Sequence, residues 1–279
     1  MSTRAAASLL LPDLMRLVVS AGAAILDVYA TDFTIAHKAD NSAVTEADLR
    51  AEAILLEGLA LLSPGVAVVA EEQVSAGGPA CAAPIFYLVD PLDGTREFVS
   101  RNGEFTVNVA LVEDGCPVAG LVYAPALGIL YGGVVGAGAA KHRIESGRIG
   151  PAEAITVRAA ALDALAVLAS RSHADAATRS WIDRLPGASV LSAGSSLKFG
   201  LIAEGRADLY PRFGRTMEWD TAAGDAVLRA AGGCVVCRDG LPLRYGKDTR
   251  TDDAPFANPH FVAYGDPRLA PLAILPVEG

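Results

Sequence analysis

The stretch IFYLVDPLDGT, residues 85–95, decides how the rest of the chain is organised. Ile85 to Val89 form a short unbroken apolar run of the kind that makes a buried strand, and it runs straight into Asp90. Asp93 follows three residues later, with Gly94 and Thr95 behind it. Strand ends in layered α/β folds are where ligands bind, because side chains there point into a crevice. Pro91 stiffens a turn between the two aspartates and sets how they point relative to each other. Carboxylates this close repel one another unless a cation lies between them. Hard oxygen donors of this kind suit Mg²⁺ or Mn²⁺, not zinc. An earlier strand, VAVVA at 66–70, ends in the same way on Glu71 and Glu72.

Gly94 to Phe98 reads as the first turn of a short helix, whose N–H groups and Thr95 hydroxyl can hold a phosphate. A bare DGT reads equally as a β-turn with an Asp cap. Two groups of strand-end carboxylates and a later Trp219-Asp220 favour the metal reading. A phospho-aspartate motif, DxDGT, has one residue between its aspartates. Here Pro91 and Leu92 both intervene, which points to a metal-activated water as the nucleophile.

The remaining composition fits this frame. The chain has 279 residues, 52% hydrophobic, 20% charged and 6% aromatic, enough to bury a large core in one domain or two closely joined lobes. A formal net charge of −9 argues against coating nucleic acid or an anionic membrane, so an anionic substrate needs local cations. Four cysteines are too few and scattered for a disulfide scaffold, and Cys234 and Cys237 lie in CVVC, which reads as a buried strand. Arg4 and AAASLLL resemble a signal peptide, but Pro12, Asp13 and Arg16 interrupt the run. The uncharged stretch Cys116–Ala140 is long enough to span a bilayer. Its two prolines and six glycines divide it into strand–turn–strand, so no integral membrane segment is expected.

Apolar spacing predicts one helix over 8–30 and another from about Thr45 to Leu62. FTVNVALV, VAGLVYA and ILYGGVV then suggest an antiparallel meander. After about residue 155 strands and helices alternate, so an α+β lobe, 1–155, is expected to precede an α/β lobe, 156–279.

AEEQ (70–73), YLVDPLDGTREFVSRNGEFTVNVAL (87–111) and EWDTAAGDAVLRAAGG (218–233) together resemble the inositol monophosphatase-like, Mg²⁺-dependent, lithium-sensitive phosphatases. KADNSAVTEAD (38–48), SRSHAD (170–175), GSSLKF (194–199) and LYPRFG (209–214) are similar to the CysQ-type 3′(2′),5′-bisphosphate nucleotidases within that superfamily. The resemblance implies a layered αβαβα sandwich of the sugar-phosphatase type with the site between the lobes. It implies a first Mg²⁺ on Glu71, Asp90 and the Leu92 carbonyl, a second on Asp90, Asp93 and Asp220, and a weaker third on Glu71. Gly94 and Thr95 would contact the scissile phosphate. Asp48 and Thr95 would orient and deprotonate the attacking water, although Asp48 reads equally as part of the helix cap begun by Thr45. Asp220 alone would likewise be a plain helix cap. Glu72 would point away from Glu71 if the strand continues, and so be structural.

By the same resemblance Ser170, His173, Gly194 and Lys198 would hold the nucleotide, with Lys198 suited to a second phosphate. The implied reaction converts 3′-phosphoadenosine 5′-phosphate to AMP and phosphate, with its 5′-phosphosulfate analogue as a further substrate. One ion would acidify water and the other stabilise the leaving oxygen. The rival is the same chemistry on inositol monophosphate or fructose 1,6-bisphosphate. A small-molecule phosphate ester is thus the expected partner of a cytoplasmic monomer or homodimer, a peripheral inner-membrane association being left open. The polar loop at 246–258 is longer than in the family's shorter members, and its contacts are open at this stage.

Overall fold

The computed structural model describes residues 2–37, 43–78, 83–170, 176–249 and 253–274. The first helix, α1 (Thr3–Tyr29), is capped by Ser2, whose hydroxyl accepts the Ala5 N–H at 3.3 Å. It begins five residues before the predicted start and runs through Pro12, which is exposed, so the lost backbone hydrogen bond falls on the solvent side. By length and composition alone α1 could cross a membrane. Its stripe of Leu14, Val18, Ala21, Ile25 and Val28 is instead buried in the protein core.

The chain continues through β1 (Ile35–His37), β2 (Ala43–Thr45) and α2 (Glu46–Leu62), then β3 (Ala67–Ala70) and α3 (Glu71–Ser75). Next come β4 (Ile85–Asp93), α4 (Thr95–Val99), β5 (Thr106–Glu113), β6 (Cys116–Ala124) and β7 (Ile129–Val134). β8 (Gly138–Glu145), β9 (Arg148–Ile149) and β10 (Glu153–Ile155) complete the first large sheet, whose order is β10-β8-β7-β6-β5-β4-β3 with β9 beside β8. The second sheet, β12-β11-β13-β15-β14, is built from β11 (Ala166–Ser170), β12 (Ser189–Ala193), β13 (Leu209–Arg212), β14 (Cys234–Cys237) and β15 (Phe261–Tyr264). Around it lie α5 (Ala176–Ile182), α6 (Leu197–Ala203), α7 (Ala222–Ala230) and α8 (Ala270–Ala273).

Side-chain alternation on the strands makes the layers. Tyr87 and Val89 of β4 face α1 and α2, whereas Phe86 and Leu88 face the opposite way, into a core shared with α6, α7 and the second sheet. The far face of the second sheet, with Val167, Leu209 and Val262, packs Trp181 of α5 and Ala273 of α8. The result is the expected αβαβα sandwich. The stretch at 116–134 is the expected strand–turn–strand, and CVVC is a strand with both cysteines free.

α7 lies unusually close to the first sheet. A Cβ on Gly120 would come within 2.3 Å of the Ala223 carbonyl, so only glycine at this point lets the helix sit down on β6. That contact holds the helix directly following Asp220 against the sheet that carries Asp90 and Asp93.

Candidate active site

β4 does not stop at Asp90. It pairs with β5 through Asp93, and its register shifts between Asp90 and Asp93. In a regular strand these residues, three apart, would point to opposite faces; the bulge re-aims them. DPLD is therefore a bulged strand end and not the turn its proline suggested. The Leu92 N–H donates to Asp90 Oδ1 at 3.0 Å, which fixes the carboxylate within the bulge. Carboxylate oxygens of Asp90, Asp93 and Asp220 lie within 4.8 Å of one another. Glu71 and Leu92 line the same cleft, which has a volume of about 680 Å³.

Burial first, then Glu71, Asp93 and Asp220, push the Asp90 carboxyl well above the usual carboxylate range. Burial, then Asp93 and Glu71, do the same to Asp220. So many oxygen donors and so much uncompensated repulsion fit a hard divalent cation such as Mg²⁺.

Glu71 and Glu72 do not extend the strand. β3 ends at Ala70 and Glu71 opens α3, so the two side chains diverge by a helical step. Glu72 is buried, and its N–H donates to Glu52 Oε2 at 2.8 Å. Asp220 is not a helix cap either: α7 is preceded by Thr221, while Asp220 Oδ2 accepts the Met217 N–H at 2.8 Å.

One oxygen of Asp93 is held from across the cleft. Its Oδ2 accepts Ser195 Oγ at 2.6 Å, the Ser196 N–H at 2.7 Å and Ser196 Oγ at 2.8 Å. Asn108, buried in β5, reaches the same oxygen at 3.5 Å and Ser196 Oγ at 3.0 Å. Ser196 Oγ also lies 2.6 Å from the Asp220 carbonyl. Ser195 occupies the left-handed region at φ +52°, an uncommon place for a serine. Sequence reasoning missed this serine pair, because Ser-Ser before a helix looks like an ordinary cap. Asn108 did carry a signal, as a polar residue inside the apolar run FTVNVALV.

Gly94 adopts φ +90° and leads into α4, so Gly94 and Thr95 sit in the cleft wall beside Asp93. Asp48 forms the cap: its Oδ2 accepts the Thr45 N–H and hydroxyl, each at 2.8 Å, while Thr45 Oγ1 accepts the Ala47 N–H at 3.1 Å. Asp48 is buried and is not among the cleft-lining residues, but β2, which ends at Thr45, packs against α4, which begins at Thr95. The strand that ends in the cap thus adjoins the helix that opens at Thr95.

The opposite wall is cationic. Ser170, Lys198, Tyr210, Arg212 and Arg215 line it. Lys198 is buried, with Nζ donating to the Ser195 carbonyl at 2.5 Å and the Ala193 carbonyl at 3.4 Å, and lying 5.0 Å from the Tyr210 ring centroid. Burial lowers its pKa to about 8, with Asp93 acting in the opposite direction. Gly194 donates its N–H to Glu104 Oε2 at 2.8 Å, and a Cβ there would meet Glu97 at 2.7 Å. Gly194 therefore shapes the wall from behind, and it does not line the cleft itself. Arg212, Tyr210 and Arg215 were not singled out from the sequence, although LYPRFG contains two of them. His173 lies outside the described residues.

The polar segment at 246–258 is tied to the turn that carries Asp220. Glu218 is fully buried; its carboxylate accepts the Gly246 and Lys247 N–H groups and pairs with Lys247 Nζ at 2.6 Å. Asn258 Nδ2 reaches the Met217 carbonyl at 2.6 Å, Thr221 Oγ1 at 3.0 Å and Thr216 Oγ1 at 3.2 Å. Asp253 lies 3.6 Å from Arg215.

The chain is also similar to known proteins. The model of the inositol monophosphatase family matches residues 9–260. The 3′(2′),5′-bisphosphate nucleotidase CysQ of Escherichia coli K12 is 43% identical over 254 residues, covering 90% of this chain and 98% of that protein. Its counterpart from Buchnera aphidicola is 38% identical over 257 residues, covering 91% of this chain and 93% of that protein. Among solved structures, CysQ from Bacteroides thetaiotaomicron matches with a TM-score of 0.73 at 36% identity, over 90% of this chain and 95% of that one. The IMPase of Thermotoga maritima matches with a TM-score of 0.74 at 23% identity, over 94% of this chain and 95% of that one, which is a likeness of fold.

Proposed function

Since the chain belongs to the inositol monophosphatase family, we propose that it is a Mg²⁺-dependent phosphatase removing the 3′-phosphate of adenosine 3′,5′-bisphosphate to give AMP and phosphate. The observation that carries this reading is the pairing of two unlike walls in one cleft. Asp90, Asp93 and Asp220 suit the cation that takes the reacting phosphate, while Lys198, Arg212 and Arg215 offer charge to a second one. A cation at the carboxylates supplies Lewis-acid charge that makes water a competent nucleophile and neutralises the leaving oxygen.

The chain's own residues divide the remaining work. Glu71, Asp90, the Leu92 carbonyl, Asp93 and Asp220 hold the cations. Gly94 and Thr95 position the phosphate, and Asp48, acting through the cap at Thr45 and the adjoining Thr95, orients the attacking water and takes its proton. Ser170, His173 and Lys198 hold the nucleotide, the last by charge, while Gly194 shapes the wall from behind. 3′-Phosphoadenylyl sulfate presents the same 3′-phosphate and is a second substrate. The residues divide at 155 into two lobes with the cleft between them, and the enzyme works in the cytoplasm on the bisphosphate by-product of sulfate assimilation.

Phosphate release with Mg²⁺ from adenosine 3′,5′-bisphosphate, inositol 1-phosphate and fructose 1,6-bisphosphate, with Asp93→Asn as control, tests the reading. The nucleotide is expected to be preferred and the variant inactive. A preference for a sugar phosphate would keep the cation chemistry and discard the roles of His173 and Lys198.

A further inference from the structure

Arg215 is unlike the two buried cations, Lys198 and Arg212, of the same cleft wall. Lys198 is buried and donates to two backbone carbonyls. Arg212 is buried at the end of β13 and donates through Nη2 to the Arg215 carbonyl at 3.1 Å. The Arg215 side chain is 61% exposed, lines the cleft, and meets Asp253 only at 3.6 Å, beyond hydrogen-bonding distance. Asp253 Oδ1, the oxygen facing Arg215, accepts the N–H of its own neighbour Ala254 at 2.7 Å. An exposed, loose ion pair of this kind contributes little in water. A phosphate dianion offers a guanidinium two parallel charge-assisted hydrogen bonds, which is a much stronger arrangement.

The backbone that follows this side chain is held in place. The Arg215 carbonyl is held by Arg212, and the Thr216 carbonyl accepts the Asn258 N–H at 2.9 Å. Its side chain can therefore change partners without moving the turn that carries Asp220.

We propose that Arg215 is a specificity-determining residue that exchanges Asp253 for the second, non-reacting phosphate of a bisphosphate substrate. Asp253 acts as a resident counter-ion at the cleft rim, discouraging monophosphates from occupying Arg215 weakly and yielding to a properly placed dianion. This gives Asp253 a role in substrate choice. The inference rests on the reading that the cleft takes a bisphosphate ester, and its test separates the two.

The test compares wild type, Arg215→Ala and Asp253→Ala on matched pairs: adenosine 3′-phosphate with adenosine 3′,5′-bisphosphate, and fructose 1-phosphate with fructose 1,6-bisphosphate. Which pair the wild type turns over reports on the proposed function. The ratio of KM values within that pair reports on Arg215. Arg215→Ala is expected to raise KM for the bisphosphate about ten- to a hundredfold, the loss of a charged hydrogen-bonded contact, with kcat within about twofold and the monophosphate little affected. Asp253→Ala is expected to lower KM for the bisphosphate about two- to fivefold. Equal effects of Arg215→Ala on both members of the pair, or an effect on neither, would overturn the proposal. A wild-type protein that hydrolyses none of the four compounds overturns both readings.

Discussion

The two walls of the cleft solve opposite electrostatic problems. On one, Asp90, Asp93 and Asp220 crowd their oxygens within 4.8 Å, and burial with mutual repulsion raises the carboxyl pKa of Asp90 and Asp220. On the other, Lys198 and Arg212 are also buried but rest on backbone carbonyls of their own chain. The first wall is repulsive by itself and becomes favourable only with an added cation; the second has backbone acceptors for Lys198 Nζ and Arg212 Nη2, with Arg212 Nε left without a hydrogen-bond partner among the described residues. This difference teaches where ligand dependence should lie: in the carboxylates for metal, and in the loosely paired Arg215 for substrate.

The comparison can be broken most sharply at Asp93. Asp93→Asn should lower kcat on the order of a thousandfold at saturating Mg²⁺, the loss of several kcal/mol of transition-state charge stabilisation. A loss under about tenfold in a phosphate-release assay would place the cation elsewhere.

Next comes metal itself. A carboxyl raised on folding contributes stability below its unfolded value of about 3.9, and that contribution is lost as pH rises through the folded value. Asp90 and Asp220 therefore weaken the metal-free protein at neutral pH, and Mg²⁺, which binds the ionised forms, should reverse this. At about 100 times its dissociation constant Mg²⁺ should raise Tm by roughly 5–10 °C at pH 8, and by less than half as much at pH 5. A calorimetric increment independent of pH would sink the idea.

Ser196→Ala tests the strut between the walls. It removes the one hydroxyl donor that Asp93 Oδ2 and the Asp220 carbonyl share, and should cost about 1–3 kcal/mol in urea unfolding along with some Mg²⁺ affinity. Unchanged stability and affinity would make the contact incidental.

The smallest effect should come from Lys198. With a pKa of about 8, its ammonium form is present below that pH and is lost above it. KM for an anionic substrate should therefore climb about three- to tenfold from pH 7.5 to 9, and Lys198→Arg, which does not titrate there, should flatten the profile. A profile that the substitution leaves untouched would exonerate Lys198.

Much of this arrangement was legible because it is local. The apolar run before Asp90, the Gly94 turn and the cap at Thr45 each announce themselves within a few residues. The bulge between Asp90 and Asp93 did not, since Pro91 reads as a turn until β5 is seen pairing on both sides of it. Glu71 and Glu72 follow an apolar strand with no Gly or Pro to mark its end, so the switch to α3 was silent. The serine strut joins residues more than 100 positions apart, and no spacing rule reaches that far. Nor does an asparagine in a polar loop reveal that it props the turn of Asp220.

Ser195 gives the comparison a thermodynamic consequence. Its hydroxyl holds Asp93 while its carbonyl holds Lys198, and both bonds hang from one left-handed residue. A shift of either wall is therefore transmitted to the other through a single peptide unit. Cation and substrate affinities should then be linked, and linkage is reciprocal: the factor by which Mg²⁺ tightens the nucleotide must equal the factor by which the nucleotide tightens Mg²⁺.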